Sequence, residues 1–254
     1  MGVTAEPALP LTSIAAGARA FPALWDTAGE RIAGGSYTQW AERGRLHVRI
    51  RYDILDGRVF VENAAFVPGP PLAQTSWSWT ESRGRDTLRH FEADLEGGVA
   101  RSAERNDDGE VDRDEGEIDV RPGVTFAGFG FTLALQALRE RLIGGEVVPL
   151  EAVAFASGPR VVDVEVAHRG QERMRMGGLA LPGDRFDIVA QIPWYFDLFV
   201  DVPTTHIWLT RGSPSEFLRW EGPLVEPGDP VVRVDMLPGA ESGPAEAIAP
   251  ADVR

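Results

Sequence analysis

Side chains able to do acid–base or ligand-binding chemistry lie close together near residues 206–219. His206 and Trp208 alternate in THIWLT, so they share one face of a predicted strand. Histidine titrates near neutral pH and can act as a general acid or base, and Arg219 in FLRWEG can face a carboxylate ligand. The alternatives are a hydrogen-bonded structural histidine and an arginine that pairs with one of the 39 acidic residues. If this face lines a cavity, these residues indicate ligand binding or acid–base chemistry.

The most apolar stretch outside the helix predicted below is IPWYFDLFV, residues 192–200. A proline and an aspartate within it make it a poor strand. Because small-molecule sites are concave and mainly apolar, one interpretation is an aromatic lip over a cavity. The other is a segment that packs into the core, as large aromatic side chains usually do. The first interpretation predicts as ligand-binding residues Trp194, Tyr195, Phe196, His206, Trp208 and Arg219.

Residues 104–115, ERNDDGEVDRDE, approach the spacing of a calcium-binding loop. Glu104, Asn106, Asp108 and Glu115 occupy its first, third, fifth and twelfth ligand positions. However, glutamate at the first position is one methylene too long, and the flanking residues are typical of strands rather than helices. The alternative is a solvated acidic hairpin. We therefore favour no metal and keep calcium at these four residues as the alternative.

The composition excludes several chemistries. The chain has no cysteine, which excludes disulfides, thiol nucleophiles and zinc–thiolate sites. All 25 basic residues are arginine, which excludes a lysine Schiff base and a P-loop lysine. The net charge of −14 argues against a nucleic-acid partner, because polyanion binding depends on clustered cations. Nucleophile-elbow and dinucleotide-binding motifs are missing, and we expect no cofactor.

Three segments are expected along the chain. Residues 1–25 are predicted to be a flexible lead-in, because they lack the basic start of a signal peptide and contain prolines. Residues 26–237 are predicted to form a single β-rich domain. Residues 238–254, rich in Ala, Gly, Pro and Glu, are expected to be disordered. With no apolar run of roughly 18 residues, we expect no membrane span and a cytoplasmic location.

Alternating hydrophobicity predicts antiparallel strands. From Leu46 to Ile54, LHVRIRYDI, every second residue is apolar, and Asp56-Gly57 then predicts a hairpin turn. In VVDVEVAHRGQERMRM, residues 161–176, a loop at His168-Arg169-Gly170 would place two valines opposite two methionines. The pattern therefore predicts a second hairpin there.

A single helix is predicted at about 131–143, in FTLALQALRERLI. Its apolar face contains Phe131, Leu135, Leu138 and Leu142. Glycines at 128 and 130 would let the backbone before it pass close to the sheet. The fold class is therefore mainly β (α+β): a curved antiparallel β-sheet, or half-barrel, wrapped around one amphipathic α-helix.

In the order of its elements the chain resembles the bacterial lipoprotein-carrier-like half-barrel superfamily, which includes a half-barrel enzyme of violacein biosynthesis. The matching elements are strands over 36–120, the helix FTLALQALRERL, then VPLEAVAF, VVDVEVAHRGQERMRM, and HIWLT before FLRWEG. The resemblance covers roughly residues 30–235. It implies a half-barrel with a lipid or other apolar ligand, and it transfers no functional residue.

Three functions remain open. The first is binding of an apolar or amphiphilic small molecule in the trough of the half-barrel, which makes the protein a binding protein rather than an enzyme. The second is a cofactor-independent isomerase or cyclase, in which His206, an aspartate and Arg219 would converge in one pocket. The third is a structural or partner-binding protein with a large apolar surface patch and no ligand.

Overall fold

The computed structural model describes residues 18–156, 158–176, 179–191, 202–212, 214–236 and 246–247. In this part of the chain, one helix, α1 (Gly130–Ile143), accompanies a 17-stranded sheet. The strands are β1 (Ala18–Ala20), β2 (Ala23–Trp25), β3 (Arg31–Glu42), β4 (Arg45–Ile54), β5 (Arg58–Val67), β6 (Ala73–Arg83), β7 (Asp86–Asp94), β8 (Val99–Arg105), β9 (Val111–Glu117), β10 (Thr125–Phe126), β11 (Val148–Ala154), β12 (Arg160–Met176), β13 (Leu179–Ala190), β14 (Thr205–Thr210), β15 (Phe217–Pro223), β16 (Val231–Asp235) and β17 (Glu246–Ala247).

The sheet is an open meander. Strands β2 to β9 pair in chain order, strands β10 to β16 do the same, and β16 pairs with β2 to join the two runs. Every pairing is antiparallel except that of β10 with β11. Short β1 pairs with β3, and β17 pairs with β12. Among the described residues, β9 and β10 each have one neighbour, so the sheet does not close.

Strand β4 shows how alternation fixes the faces of the sheet. Leu46, Val48 and Ile50 are buried, whereas Arg49 and Arg51, which point to the other face, are exposed. The chain turns after Ile54 and returns as β5, which confirms the predicted hairpin. The apolar residues of the two strands therefore face the same core.

Helix α1 fills the concave side of the sheet, as the sequence predicts. Phe131, Leu135, Leu138 and Leu142 are 8%, 0%, 1% and 0% exposed and belong to the main core cluster. Each buried side chain of this size stabilises the fold by about 1.5–3 kcal/mol relative to exposure. The predicted mainly β fold, a curved antiparallel sheet around one amphipathic helix, is confirmed.

The segment before the helix is held against the sheet. The Gln74 side chain of β6 accepts a hydrogen bond from the Ala127 amide (2.8 Å) and donates one to the Ala127 carbonyl (3.1 Å). A Cβ on Gly130 would lie 2.2 Å from the Gln74 Oε1 atom. Gly128 has the same tight approach to its neighbours on the sheet. The expected role of the two glycines is therefore confirmed.

The predicted hairpin at residues 168–170 is wrong. Strand β12 continues through this segment to Met176 and pairs with β13 along its length. A β-bulge leaves Arg169 without a partner residue and places Gly170 at φ +115°. A glycine with positive φ suits a bulge as well as a loop, which is why the local pattern was misleading.

The bulge also exchanges the two faces of β12. Before it, Val164 and Val166 point into the main core. After it, Met174 and Met176 pack with Trp208 and other residues in a separate cluster. Every second residue is therefore apolar in both halves of the strand, but these apolar side chains point to opposite sides of the sheet in the two halves.

The sheet begins earlier than the expected boundary at residue 26. Ala18–Ala20 and Ala23–Trp25 are strands, and Ala23 and Leu24 are fully buried. Of the tail expected to be disordered, the structure describes Glu246–Ala247, which pair with β12. In the described ranges, no helix has the length and apolar character needed to cross a membrane.

Candidate functional site

A cavity of about 260 Å³ lies between the start of α1 and the concave face of the sheet. Both runs of strands contribute to its wall, together with residues 224–227 of the β15–β16 loop. Most of the lining is aliphatic or aromatic. The aromatic residues of the lining are Tyr52, Phe60, Trp77, Trp79, Phe129, Phe131, Phe155, Phe217 and Trp220.

Alternation in β6 turns its two tryptophans toward this cavity. In SWSWT, Trp77 and Trp79 are 4% and 5% exposed, and each has a serine before it. The Trp77 ring stacks on Phe155 across the trough at 5.7 Å, and Trp79 packs against Phe60 at 5.3 Å. Because Phe155 follows β11, the Trp77–Phe155 contact joins the two runs of the sheet around the cavity, while the Trp79–Phe60 contact lies within the first run.

Glu62 places a carboxyl group in this apolar wall. It lies on β5 between Phe60 and Ala64, which are both buried on the same face. Its Oε1 atom accepts hydrogen bonds from the Trp77 indole nitrogen and the Phe129 amide, both at 2.7 Å. Among the described residues, no donor contacts the second oxygen, Oε2.

Burial determines the protonation of this wall. It raises the pKa of Glu62 above its usual value, and the hydrogen bonds from Phe129 and Trp77 offset only part of that effect. Burial also raises the pKa of Tyr52, and the nearby Glu62 carboxylate adds to it. Tyr52 is therefore neutral near pH 7, while Glu62 holds its proton more tightly than a solvated glutamate.

The β15–β16 loop places a second carboxyl group, that of Glu226, at the edge of the cavity, and Asp229 holds this loop in shape. The Asp229 side chain accepts hydrogen bonds from the Val225 and Glu226 amides, both at 3.1 Å. Arg89 of β7 donates to the other Asp229 oxygen at 2.8 Å and so ties the loop to the opposite side of the trough. Burial, together with the charges of Glu104 and Asp229, raises the pKa of Glu226 to about 7, although Arg89 lowers it.

Sequence reasoning missed Glu62, although a signal for it exists. In VFVENAAF the glutamate occupies a position that the alternation assigns to the buried face. A carboxyl group at such a position needs a hydrogen-bonding partner or a function, because burying it is costly. Glu226, in a turn of the chain, carries no comparable signal.

His206, Trp208 and Arg219 lie on the opposite, outer face of the sheet. The β14–β13 pairing turns Ile207 inward, so its neighbours His206 and Trp208 point outward. Arg219 is directly across from Trp208 in β15. These three predicted ligand-binding residues are therefore close to one another, but they do not line the cavity beside α1.

Each of the three has a partner on that outer face. His206 Nδ1 is 2.7 Å from Asp187 Oδ1, and the Trp208 indole donates to Glu172 at 2.7 Å. Fully buried Arg219 donates to an equally buried Asp235 at 2.6 Å. Burial raises the pKa of Asp187, but the hydrogen bonds from His206 and Arg185 outweigh it and keep that pKa below its usual value.

A second, polar cavity of about 450 Å³ lies beside this outer cluster. His206 and Trp208 line it together with acidic and arginine side chains from four strands. The predicted aromatic lip, Trp194, Tyr195 and Phe196, lies outside the described residues.

The acidic segment does not assemble the calcium ligands. Residues 104–115 lie within the β8–β9 hairpin, in which Glu104 pairs with Asp112 and Arg101 pairs with Glu115. Glu115 therefore lies several residues from the turn and forms an ion pair with Arg101 at 2.8 Å. The Asn106 side chain accepts a hydrogen bond from the Glu110 amide within the turn. In the described ranges, no three His, Asp or Glu residues are grouped so that they could hold a metal ion.

No protein-family model matches the chain, and no curated protein matches it. Among solved structures, the chain is similar to a beta-barrel-like protein of a domain of unknown function (DUF1849) from Brucella abortus. The identity is 12% and the TM-score 0.46, over 92% of this chain and 98% of that chain.

Proposed function

We propose that the protein binds an apolar or amphiphilic small molecule in the cavity between α1 and the concave face of the sheet. The observation that carries this proposal is a mainly apolar, aromatic cavity with a carboxyl group fixed in its wall. Ligand sites in proteins have this character: apolar walls provide affinity, and a few positioned polar groups orient the ligand.

The volume of the cavity is consistent with the binding of a small molecule. A cavity of roughly 150 Å³ lined by aliphatic and aromatic side chains accommodates benzene. The space beside α1 is about 260 Å³. It therefore suits a molecule with one ring and a short chain, or a short alkyl chain with a polar head.

The binding role is better supported than the enzymatic one. His206, Asp187 and Arg219 do come together on the outer face, but only His206 of the three lines the polar cavity there, and Arg219 is fully buried and paired with Asp235. A cofactor-independent isomerase or cyclase would need them beside its substrate. A role in partner binding would need a large exposed apolar patch. In the described part of the chain, nine aromatic side chains line the internal cavity instead.

Several expectations from the sequence are part of the same proposal. A single domain, a location in the cytoplasm, no nucleic-acid partner and no resident cofactor all suit a carrier or sensor of a small molecule. Residues 161–176 form one strand rather than a hairpin, but the rest of the element order still resembles lipoprotein-carrier-like half-barrels, and this resemblance supports an apolar ligand in the trough.

Filling the cavity provides the test. Ala190 lines it, so Ala190→Phe introduces a phenyl ring that takes a large share of the space. The matched control is Ala41→Phe, at an exposed position of β3. Titration with 4-propylphenol, a neutral single ring with a short chain, is followed by isothermal calorimetry, and circular dichroism verifies that both variants are folded.

We expect 4-propylphenol to bind the unmodified protein and Ala41→Phe equally, and Ala190→Phe at least tenfold more weakly. Equal binding by all three folded proteins would place 4-propylphenol elsewhere and contradict the proposal. Native mass spectrometry of the freshly purified protein adds a direct check, because a ligand retained from the cell appears as a defined mass increase.

A further inference from the structure

The ionisable residues of the cavity wall are all acids. Among the described lining residues they are Glu62, Glu226 and Tyr52, and none is arginine or histidine. A bound carboxylate or phosphate would therefore meet two carboxyl groups and no cation. The acidic groups of the described lining therefore favour a positively charged ligand.

Glu62 is arranged to receive a hydrogen-bond donor. Its Oε1 atom is fixed by Trp77 and Phe129, so the orientation of the carboxyl group is set before any ligand enters. Its Oε2 atom receives no hydrogen bond from the described residues of the wall. A buried carboxylate without a compensating charge is unfavourable, and a cation that contacts it removes that cost.

The rings around Glu62 suit the same kind of ligand. Tyr52, Phe60 and Trp77 line the cavity close to it on strands β4, β5 and β6. The faces of such rings attract a cation electrostatically and also pack against an apolar chain. Both parts of a molecule that joins an ammonium group to an apolar body would therefore be satisfied.

We propose that the ligand of this cavity is an amine: an apolar body carrying a protonated primary ammonium group, with Glu62 Oε2 accepting one of its N–H hydrogen bonds. This inference rests on the proposed binding function and specifies its ligand class. Glu226, at the loop that borders the cavity, adds negative charge on the path of the approaching cation.

The test compares three ligands of equal chain length: octylamine, 1-octanol and octanoate, titrated at pH 8 by isothermal calorimetry. An alkylamine is protonated at this pH, as lysine is. The proteins are the unmodified chain, Glu62→Gln and the control Glu42→Gln. The amide introduced by Glu62→Gln keeps an oxygen that can accept from Trp77 and Phe129. Glu42 has an exposed side chain on β3, so the control removes one charge far from the wall.

We expect the unmodified chain and Glu42→Gln to bind octylamine at least tenfold more tightly than 1-octanol, with octanoate weakest. Glu62→Gln should lose this preference and bind 1-octanol within about twofold of the unmodified chain. If 1-octanol binds as tightly as octylamine, or if Glu62→Gln keeps the preference, the amine inference is overturned while the binding function stands. If none of the three ligands binds, the proposed function fails as well. If Glu62→Gln does not fold, the relative affinities of the unmodified chain for octylamine, 1-octanol and octanoate still test the amine inference.

Discussion

The close approach at Gly128 makes a specific prediction about the cavity wall. Gly128 has φ +50°, and a Cβ there would lie 2.2 Å from both Glu62 Oε1 and Trp77 Nε1. Gly128→Ala must therefore displace at least one of these groups and break the hydrogen bond between them. The substitution tests whether Glu62 is fixed as described.

Two costs contribute to the expected effect. An alanine in the left-handed region costs roughly 1–2 kcal/mol. Loss of a hydrogen bond to a charged group costs roughly 1.5–3 kcal/mol. The free energy of unfolding should therefore fall by about 2.5–5 kcal/mol.

Gly84→Ala is the matched control, because Gly84 has φ +62° and no atom within 4 Å of a Cβ. It should lower the free energy of unfolding by only about 1–2 kcal/mol. Urea unfolding of both variants, followed by tryptophan fluorescence at pH 7, measures the difference. If Gly128→Ala costs no more than Gly84→Ala, the crowding at Glu62 and Trp77 does not exist in solution.

Three further predictions concern stability in urea unfolding. Leu135→Ala, at a fully buried position of α1, should lower the free energy of unfolding by about 3–5 kcal/mol. The control Leu55→Ala, at a position that is 81% exposed, should lower it by under about 0.5 kcal/mol. Similar losses for the two variants would argue against the buried helix. The folded protein holds the Glu226 proton more tightly than the unfolded chain, so the free energy of unfolding should fall as pH rises from 4.5 to about 7. The expected fall is about 1–2 kcal/mol, because this group is only half-buried. Glu226→Gln should flatten this pH dependence, and an unchanged dependence would contradict the raised pKa. Arg219→Met should cost about 3–5 kcal/mol because it leaves buried Asp235 without its closest cation, and a cost under about 1 kcal/mol would show that the ion pair is unimportant.

Local patterns were sufficient for the elements that depend on local physics. Alternation in β4 and the Asp56-Gly57 turn fixed the first hairpin, because a shift by one residue would bury arginines. The 3.6-residue period identified α1 and its buried face. These features follow from the burial preferences of neighbouring residues.

Features that depend on distant pairing were beyond the sequence. Gly170 suits either a loop or a bulge, and only the partner strand β13 decides between them. His206 and Trp208 were correctly placed on one face, but which face lines the cavity depends on the inward orientation of Ile207. Glu62 was identifiable as an acid on an apolar face, yet its partners Trp77 and Phe129 come from elsewhere in the chain.

The most direct test of the central claim is a crystal structure of the protein grown in the presence of 1-octanol. This neutral ligand tests for binding in the cavity independently of the charge of Glu62. We expect electron density for the alkyl chain between α1 and the concave face, in contact with Trp77 and Trp79. A cavity without ligand density, or one closed by rearranged side chains, would contradict the proposal that this space binds a small molecule.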